Sequence, residues 1–209
     1  LEQVPEKEVS QEQRELIISR AQLLKIKAYF VRKQEKEALE ILQKLRKDYP
    51  DTNSTIVSHL IEARYYAENN RMVDAQKSFR SLADQYPNSK YASIALYEAA
   101  ICAQQRGIDA TEEGPAEILE NIVKKYPTHK ITYYAQLKRA DISRRLNKFG
   151  DALMLYEDLL KQYPDHPERY LAQISRADCL FAQSGQTPVL LDEAIAVYER
   201  LVDNQEVPI

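Results

Sequence analysis

The chain has 209 residues, of which 29% are charged and only four are glycine, and its formal net charge is −3. A composition rich in good helix formers and poor in glycine predicts an all-α protein. The negative net charge argues against a general nucleic-acid binder, which needs a basic surface to neutralise phosphates, and against a polybasic membrane anchor.

The N-terminal part of the chain predicts a short lead-in followed by a helix pair. Residues 1–9 carry proline and charge without hydrophobic periodicity, so we expect a flexible lead-in. A long amphipathic helix is expected from about Ser10 to about Val31, with Gln13 at the capping-box spacing from Ser10. A second helix over 35–48 completes the pair.

Four Tyr-Pro pairs then divide the chain at regular intervals. They begin at Tyr49, Tyr86, Tyr126 and Tyr163, which are 37, 40 and 37 residues apart. Proline lacks the N–H that would continue a helix, so each pair predicts a helix end. Intervals of this length are typical of helical repeats. The predicted units are about 10–50, 51–87, 88–127, 128–164 and 165–205.

Two sets of apolar columns recur with the Tyr-Pro pairs. Eleven, seven and four residues before each Tyr lie Ala38, Leu42, Leu45; Ala75, Phe79, Leu82; Pro115, Leu119, Ile122; and Ala152, Tyr156, Leu159. After each Tyr a second set, which we call the comb, is spaced by three and comprises Val57, Leu60, Ala63, Tyr66; Ile94, Tyr97, Ala100, Ala103; Tyr134, Leu137, Ala140, Ser143; and Leu171, Ile174, Ala177, Leu180. The fourteenth residue after every Tyr is alanine, which lets two helices approach closely.

These columns predict one continuous array. A unit of this size cannot bury its apolar faces alone, so stacking must supply the core, and 10–205 is predicted to be a single solenoid. The remaining helices are expected over about 54–68, 72–85, 89–106, 128–146, 149–162, 165–183 and 191–203, with one more that begins near Thr111 or Pro115. The apolar end of the tail at 206–209 predicts continuation into further sequence.

The repeat resembles a known family. The order Ala38, Leu42, Leu45 and Pro50 resembles the second-helix half of the tetratricopeptide repeat (TPR), and the resemblance covers roughly residues 10–203. It implies a TPR-like, right-handed superhelical solenoid of about five antiparallel helix pairs that binds proteins without catalysis. The run Tyr-Pro-Asn-Ser-Lys-Tyr-Ala at 86–92 resembles units of bacterial periplasmic scaffolds, such as the outer-membrane assembly lipoproteins and the Tol-Pal coordinator. That likeness favours a periplasmic or outer-membrane-associated location over the cytoplasm.

The sequence carries no catalytic constellation, so we expect neither enzyme activity, nor a cofactor, nor a metal site. His59, His129 and His166 fall in different units without metal-ligand spacing and are predicted to be solvent-facing or turn residues. Cys102 and Cys179 are predicted to be buried free thiols, because another first helix separates them.

The resemblance implies a binding surface on the concave face, which the first helix of each pair lines. Residues next to the comb alanines should point toward it. The predicted contact residues are Arg64, Tyr65, Glu68, Ile101, Gln105, Lys138, Asp141, Arg145 and Asp178. A mixed, charged groove suits an extended peptide or a partner's helix. The same positions are equally consistent with ordinary solvated side chains, and the connectors at 107–114 and 184–189 are the other natural contact sites.

Three functional hypotheses follow. The first is a non-enzymatic scaffold that binds a protein or peptide, with no nucleic-acid partner, no membrane insertion by this chain and an oligomeric state left open. The second is a helical accessory domain of a larger enzyme or sensor. The third, an autonomous hydrolase, lacks any supporting residues. The full open reading frame distinguishes the first two.

Overall fold

The computed structural model describes residues 10–107 and 114–203. These residues form ten α-helices and no strand, which confirms the predicted all-α class. The helices are α1 Gln11–Val31, α2 Glu35–Asp48, α3 Asn53–Glu68, α4 Met72–Gln85, α5 Ala92–Gln105, α6 Pro115–Lys125, α7 Ile131–Arg145, α8 Phe149–Gln162, α9 Arg169–Gln183 and α10 Pro188–Asp203. A short 3₁₀ turn, Ser184–Gln186, lies before α10.

Two helix starts illustrate how local chemistry sets the boundaries. The predicted capping box of α1 is present: Ser10 Oγ accepts from the Gln13 N–H, and Gln13 Oε1 accepts from the Ser10 N–H, both at 3.2 Å. Helix α6 begins at Pro115, where a missing N–H costs no intrahelical bond. The other start predicted for α6, Thr111, lies outside the described residues.

Other predicted starts were wrong by three or four residues. Helices α5, α7 and α9 begin late, because the residues after Tyr-Pro form a turn first. In that turn the Ser89 Oγ accepts from the Tyr91 N–H at 3.1 Å, and the His129 Nδ1 accepts from the Ile131 N–H at 3.2 Å. Helix α10 begins early, at Pro188, because proline is well suited to the first turn of a helix.

The four Tyr-Pro pairs end α2, α4, α6 and α8 in the same conformation. The tyrosine φ lies between −137° and −128° and its ψ between 51° and 62° in all four. Each tyrosine N–H donates to the carbonyl four residues earlier, at 2.8 to 3.0 Å, and the next residue is a proline that has no N–H to continue the ladder. The predicted helix ends are confirmed.

The turn inside four helix pairs places one residue in the left-handed region. These residues are Lys33, Asn70, Gly107 and Asn147, with φ of 59°, 59°, 72° and 58°. Glycine and asparagine adopt this conformation readily, whereas a lysine Cβ lies too close to the following carbonyl oxygen. The turn between α1 and α2 therefore carries strain at Lys33 that the other turns lack.

We predict that Lys33→Gly raises the free energy of unfolding by about 0.5 to 1 kcal/mol, because the relief of strain exceeds the added entropy of the unfolded chain. Urea denaturation of the full chain measures the change. The exposed Lys44, in the interior of α2, is the matched control, and Lys44→Gly should destabilise by about 1 kcal/mol. A loss of stability in Lys33→Gly would contradict the strain.

The chain divides into two compact units, Leu1–Cys102 and Ala103–Ile209, and the boundary falls inside α5. The prediction of a single solenoid therefore stays a prediction. In the first unit α1 packs on α2 and α3, and α3 packs on α4. One core cluster of this unit joins Leu23, Ile26 and Phe30 of α1 to Ala38, Leu42 and Leu45 of α2.

In the second unit each helix from α6 to α9 packs on the next helix in the chain. A core cluster here joins α7, α8 and α9, and its buried members are Tyr133, Ala140, Ala152, Tyr156, Leu159, Ala172 and Cys179. The large tyrosine rings fill the space between the helices, and the alanine column allows the helices to approach closely where the rings are absent.

The second-helix columns are buried throughout, whereas eight of the sixteen comb residues are buried, six are half-buried and two are exposed. The four comb alanines, Ala63, Ala100, Ala140 and Ala177, are at most 1% exposed, and so are eleven of the twelve second-helix column residues; the twelfth, Pro115, is also buried. Two comb positions were predicted wrongly: Leu171 is 37% exposed and Ile174 is 38% exposed. Their counterpart Tyr134 packs on His166 of the following pair, and no such pair follows α9 and α10 in the described residues.

We predict that Ala140→Leu lowers the free energy of unfolding by roughly 1 to 3 kcal/mol, because the added carbons must fit a fully buried helix contact. The control is Ala182→Leu on the exposed surface of α9, which should change stability by less than about 0.5 kcal/mol. Equal melting midpoints for the two variants would contradict the assigned contact.

Candidate functional site

A groove opens between α1 and α3 in the first unit. The two helices are held side by side by ring stacking of Phe30 on Tyr65, with centroids 4.2 Å apart and ring planes 24° apart. Toward the other ends of the helices, the buried Ser19 Oγ donates to Ser54 Oγ at 3.3 Å. Both are first helices of their pairs, so this is the kind of surface on which the sequence placed the binding residues.

The groove has a volume of about 270 Å³. It is lined by Lys27, Phe30 and Val31 of α1 and by Ile61, Arg64, Tyr65 and Glu68 of α3. Its size lies just below the usual range of small-molecule pockets and suits one large side chain of a peptide. Its walls are mainly apolar, and two cations and one carboxylate stand among them, so it can seat an apolar anchor and orient charges on either side of it.

A polar cluster fixes Tyr65 in the groove wall. Its hydroxyl donates to Glu35 Oε2 at 3.2 Å, and burial together with Glu35 raises the pKa of Tyr65. Arg71 in turn donates to Glu35 at 2.6 Å and to Asp74 at 2.8 Å. The cluster ties α2, α3 and the start of α4 together, so the tyrosine is positioned before any partner arrives.

The structure gathers three of the nine predicted contact residues, Arg64, Tyr65 and Glu68, in this groove. Of the other six, Ile101 is a half-buried residue of the first unit, and the rest belong to the second unit. There Gln105 and Arg145 are exposed, whereas Lys138, Asp141 and Asp178 are half-buried.

The two aspartates take part in internal contacts of the second unit. Asp141 Oδ1 accepts from the Tyr156 hydroxyl at 2.6 Å, and Asp178 Oδ1 accepts from the Tyr198 hydroxyl at 2.8 Å. Burial, and secondly Asp141, raises the pKa of Tyr156. Burial, and secondly Asp178, raises the pKa of Tyr198 to about 12. A tyrosine–aspartate hydrogen bond thus joins α8 to α7 and α10 to α9 in the same way. In addition, Arg144 lies 3.5 Å from Asp178.

The second unit also has a larger concavity, of about 500 Å³, between α8, α9 and α10. None of the predicted residues lines it; the lining comprises Glu157, Leu160, Lys161, Arg169, Gln173, Arg176, Val197, Arg200 and Leu201. Arg176 lies 3.1 Å from Glu157 and 2.6 Å from Glu193, and Lys161, Arg169 and Arg200 add three more cations to the lining.

Comparison with known proteins identifies the family. Tetratricopeptide repeat profiles match residues 20–52, 59–89 and 137–207, which together are well over half of the chain. The chain belongs to the tetratricopeptide repeat superfamily. TPR domains generally mediate protein–protein interactions, and the fold is typically a non-catalytic scaffold. A search of curated proteins found no match.

Two solved structures of TPR-like repeats share this fold. Two crystal structures of "Podosopora anserina putative kinesin light chain nearly identical TPR-like repeats", one of them a point variant, are 19% and 18% identical to this chain, each with a TM-score of 0.58. Both cover 88% of this chain, and 97% and 96% of their own chains. The crystal structure of PilW, a widely conserved type IV pilus biogenesis factor, is 18% identical, covers 90% of this chain and 88% of its own, and has a TM-score of 0.48.

The connectors of this TPR chain give no second site in the described residues. Most of the connector at 107–114 lies outside them. The connector at 184–189 is occupied by the 3₁₀ turn and by the first turn of α10. Both were predicted contact regions, and both stay predictions.

Two of the three histidines are turn residues, as predicted. His129 Nδ1 and His166 Nδ1 each accept a backbone N–H two residues later, at 3.2 Å. The prediction for His59 was wrong: it lies in α3, is 4% exposed, and its ring meets Tyr86 edge-on at 5.8 Å. Burial, with a smaller contribution from Arg46, lowers the pKa of His59 to about 4.

Both cysteines of this TPR chain are buried thiols, as predicted. Burial raises the pKa of Cys102 and of Cys179 to about 11, so both are protonated and unreactive at neutral pH. Within residues 10–107 and 114–203 no cluster of His, Cys, Asp and Glu could hold a metal ion. No helix in that part of the chain is both long and apolar enough to span a bilayer.

Sequence reasoning missed the α1 wall of the groove, Lys27, Phe30 and Val31, and also Ile61 of α3. These residues lie on the helix surface next to the comb, whereas the prediction was limited to residues beside the comb alanines. The one sequence signal was the pair Phe30-Val31 at the end of the predicted first helix, where two large apolar residues stand side by side.

Proposed function

We propose that this TPR chain is a non-enzymatic scaffold that holds a peptide or helix of a partner protein in the groove between α1 and α3. The observation that carries the proposal is a preformed concavity of about 270 Å³ whose tyrosine is held by both ring stacking and a hydrogen bond. A partner side chain that enters such a site loses little of its binding energy to ordering the wall.

The charges around the groove define the peptide that fits it. Phe30, Val31 and Ile61 provide apolar area for one large anchor side chain. Lys27 and Arg64 favour a carboxylate beside that anchor, and Glu68, one turn from Arg64 on α3, favours a cation. The proposed ligand is therefore an amphipathic segment with one apolar anchor and mixed charges, and not an anionic polymer such as nucleic acid.

We further propose that the complex belongs to the bacterial cell envelope, periplasmic or associated with the outer membrane. The support is the resemblance of residues 86–92 to the units of periplasmic TPR scaffolds. In this structure Tyr86 and Ser89 of that segment form the turn that fixes the start of α5, so the segment has a structural role in addition.

The test is affinity capture from envelope and soluble extracts, followed by binding measurements with synthetic peptides of whatever partner is identified. The groove variant exchanges an exposed pair one turn apart on α3, Arg64→Glu with Glu68→Lys. The matched control exchanges an exposed pair one turn apart on α2, Glu40→Lys with Lys44→Glu. We expect the partner and its peptide to bind the wild type and the control and to lose at least about ten-fold in affinity for the groove variant.

Equal binding by all three proteins would exclude the groove. A second variant, Lys138→Glu with Arg145→Glu, then tests the predicted contact residues of the other unit. The alternative function, a helical accessory domain of a larger enzyme or sensor, predicts a catalytic or receiver domain in the same open reading frame. The scaffold predicts a signal peptide followed by repeats.

A further inference from the structure

Helix α1 has a second apolar surface, on the side away from its core contacts. We define the outer face of α1 as Ile17, Ala21, Leu24, Ala28 and Val31, all of them exposed. Ile17 is 61% and Leu24 is 56% exposed, while the core side of the same helix is buried. Spacings of four and three residues place the five on one stripe that spans most of α1. Of these five, Val31 also lines the groove, as does the neighbouring Lys27.

The outer face is surrounded by positive charge. From Leu16 to Gln34 the sequence has five cations, Arg20, Lys25, Lys27, Arg32 and Lys33, and no carboxylate, although the whole chain carries a net charge of −3. All five are exposed, and none forms an ion pair within the described residues. The apolar stripe therefore stands in a field of unneutralised positive charge.

The repeat indicates which kind of structural element packs on the outer face of α1. Because α3 follows α1 by one 37-residue unit, Ser54, Ile61 and Tyr65 of α3 correspond to Ile17, Leu24 and Ala28 of α1. Those α3 residues are the ones that pack on a helix, α1 itself, through the Ser19–Ser54 hydrogen bond, the stacked Phe30–Tyr65 rings and the core contact of Ile61. The outer face of α1 thus occupies the helix-receiving position of the repeat.

We propose that the outer face of α1 binds an amphipathic helix of a partner protein whose apolar stripe is flanked by acidic residues. Ala21 and Ala28 alternate with larger side chains, which lets the axis of a second helix come close. The cations on both sides would pair with the acidic flanks and reject a basic helix. A second copy of this chain fits poorly, because it would bring its own basic flanks against Arg20 and Lys25.

The test uses the full chain and a fluorescent helical peptide of about six turns, with leucine and alanine along one face and glutamate on both flanks. The matched peptide has lysine on both flanks. Fluorescence anisotropy should show at least about a ten-fold preference for the glutamate peptide, which weakens as salt is raised. Ile17→Ser with Leu24→Ser should abolish most of the binding, and Arg20→Glu with Lys25→Glu should reverse the preference.

Two controls test whether the peptide binds at the outer face of α1 alone. Met154→Ser with Val189→Ser removes exposed apolar side chains from the second unit and should leave the affinity unchanged. The groove variant, Arg64→Glu with Glu68→Lys, should also leave it unchanged, so this proposal and the proposed function fail independently. Circular dichroism confirms folding of every variant, and all the substituted residues are exposed.

Four outcomes would overturn the proposal. Equal affinity for the two peptides would show that the charges of the flanks do not matter. No binding of the glutamate peptide would show that the outer face of α1 does not bind such a helix. Binding to phosphatidylglycerol vesicles but not to the peptide would identify a lipid surface as the ligand. A dimer in sedimentation equilibrium that Leu24→Ser dissociates would assign the face to a second copy of the chain.

Discussion

Replacing Tyr156 with alanine should lower the free energy of unfolding by about 3 to 5 kcal/mol, the largest effect that we expect from a single substitution. The side chain is fully buried between α7, α8 and α9, so its removal leaves a cavity in the core of the second unit. Urea denaturation followed by circular dichroism measures the change. A matched truncation, Phe181→Ala, removes an aromatic ring that is 59% exposed and should cost less than about 1 kcal/mol.

A second variant separates the ring from the hydroxyl. Tyr156→Phe keeps the volume but leaves Asp141 without the donor 2.6 Å away, which should cost roughly 1 to 3 kcal/mol. If the phenylalanine variant were as unstable as the alanine variant, the hydrogen bond would matter more than packing. If it were as stable as wild type, the Tyr156–Asp141 bond would contribute nothing to stability.

The stability of the folded chain should fall as the pH is lowered, because of His59. Its pKa is about 4 in the folded state and 6.5 as an ordinary histidine, so the unfolded chain binds more protons between these values. The stabilisation from neutral His59 is complete above about pH 6.5 and is lost as the pH falls toward about 4, for a total of about 3 kcal/mol. Most of this loss should occur above the range in which carboxylates take up protons.

Urea denaturation at about pH 7.5 and about pH 5 measures the effect, which should be roughly 2 kcal/mol between these two values. The variant His59→Gln should lose most of this pH dependence. The control His129→Asn keeps a side chain that can cap the same turn and should retain the dependence of the wild type. A wild-type chain that was equally stable at both values would show that His59 is solvated.

The periodic part of the fold could be predicted from the sequence, because it depends on local rules. Proline ends a helix wherever it occurs, and the small comb position at Ala140 is set by helix–helix distance. The wrong predictions concern the burial of single residues, which depends on neighbouring side chains that the repeat pattern does not specify. His59 is buried because Tyr86 of the next turn covers it, and Leu171 is exposed because nothing in the described residues covers it.

The candidate site was predictable only in part for the same reason. Arg64 and Glu68 follow from the helical position next to a comb alanine, and the groove contains both. The opposite wall belongs to α1, and the sequence pattern does not say which helix faces α3. Asp141 was predicted without reference to Tyr156, whose hydroxyl reaches it from the partner helix of the pair, and its contact with a ligand stays a prediction.

The constancy of the Tyr-Pro turns bears on how such a chain changes during evolution. Each comb alanine is the fourteenth residue after its tyrosine, and the extra length of the 40-residue interval lies between the two helices of a pair. Recombination between two copies of that constant segment would add or delete one whole unit and leave every junction in register. The number of repeat units can therefore change by gene duplication without any new type of contact between helices.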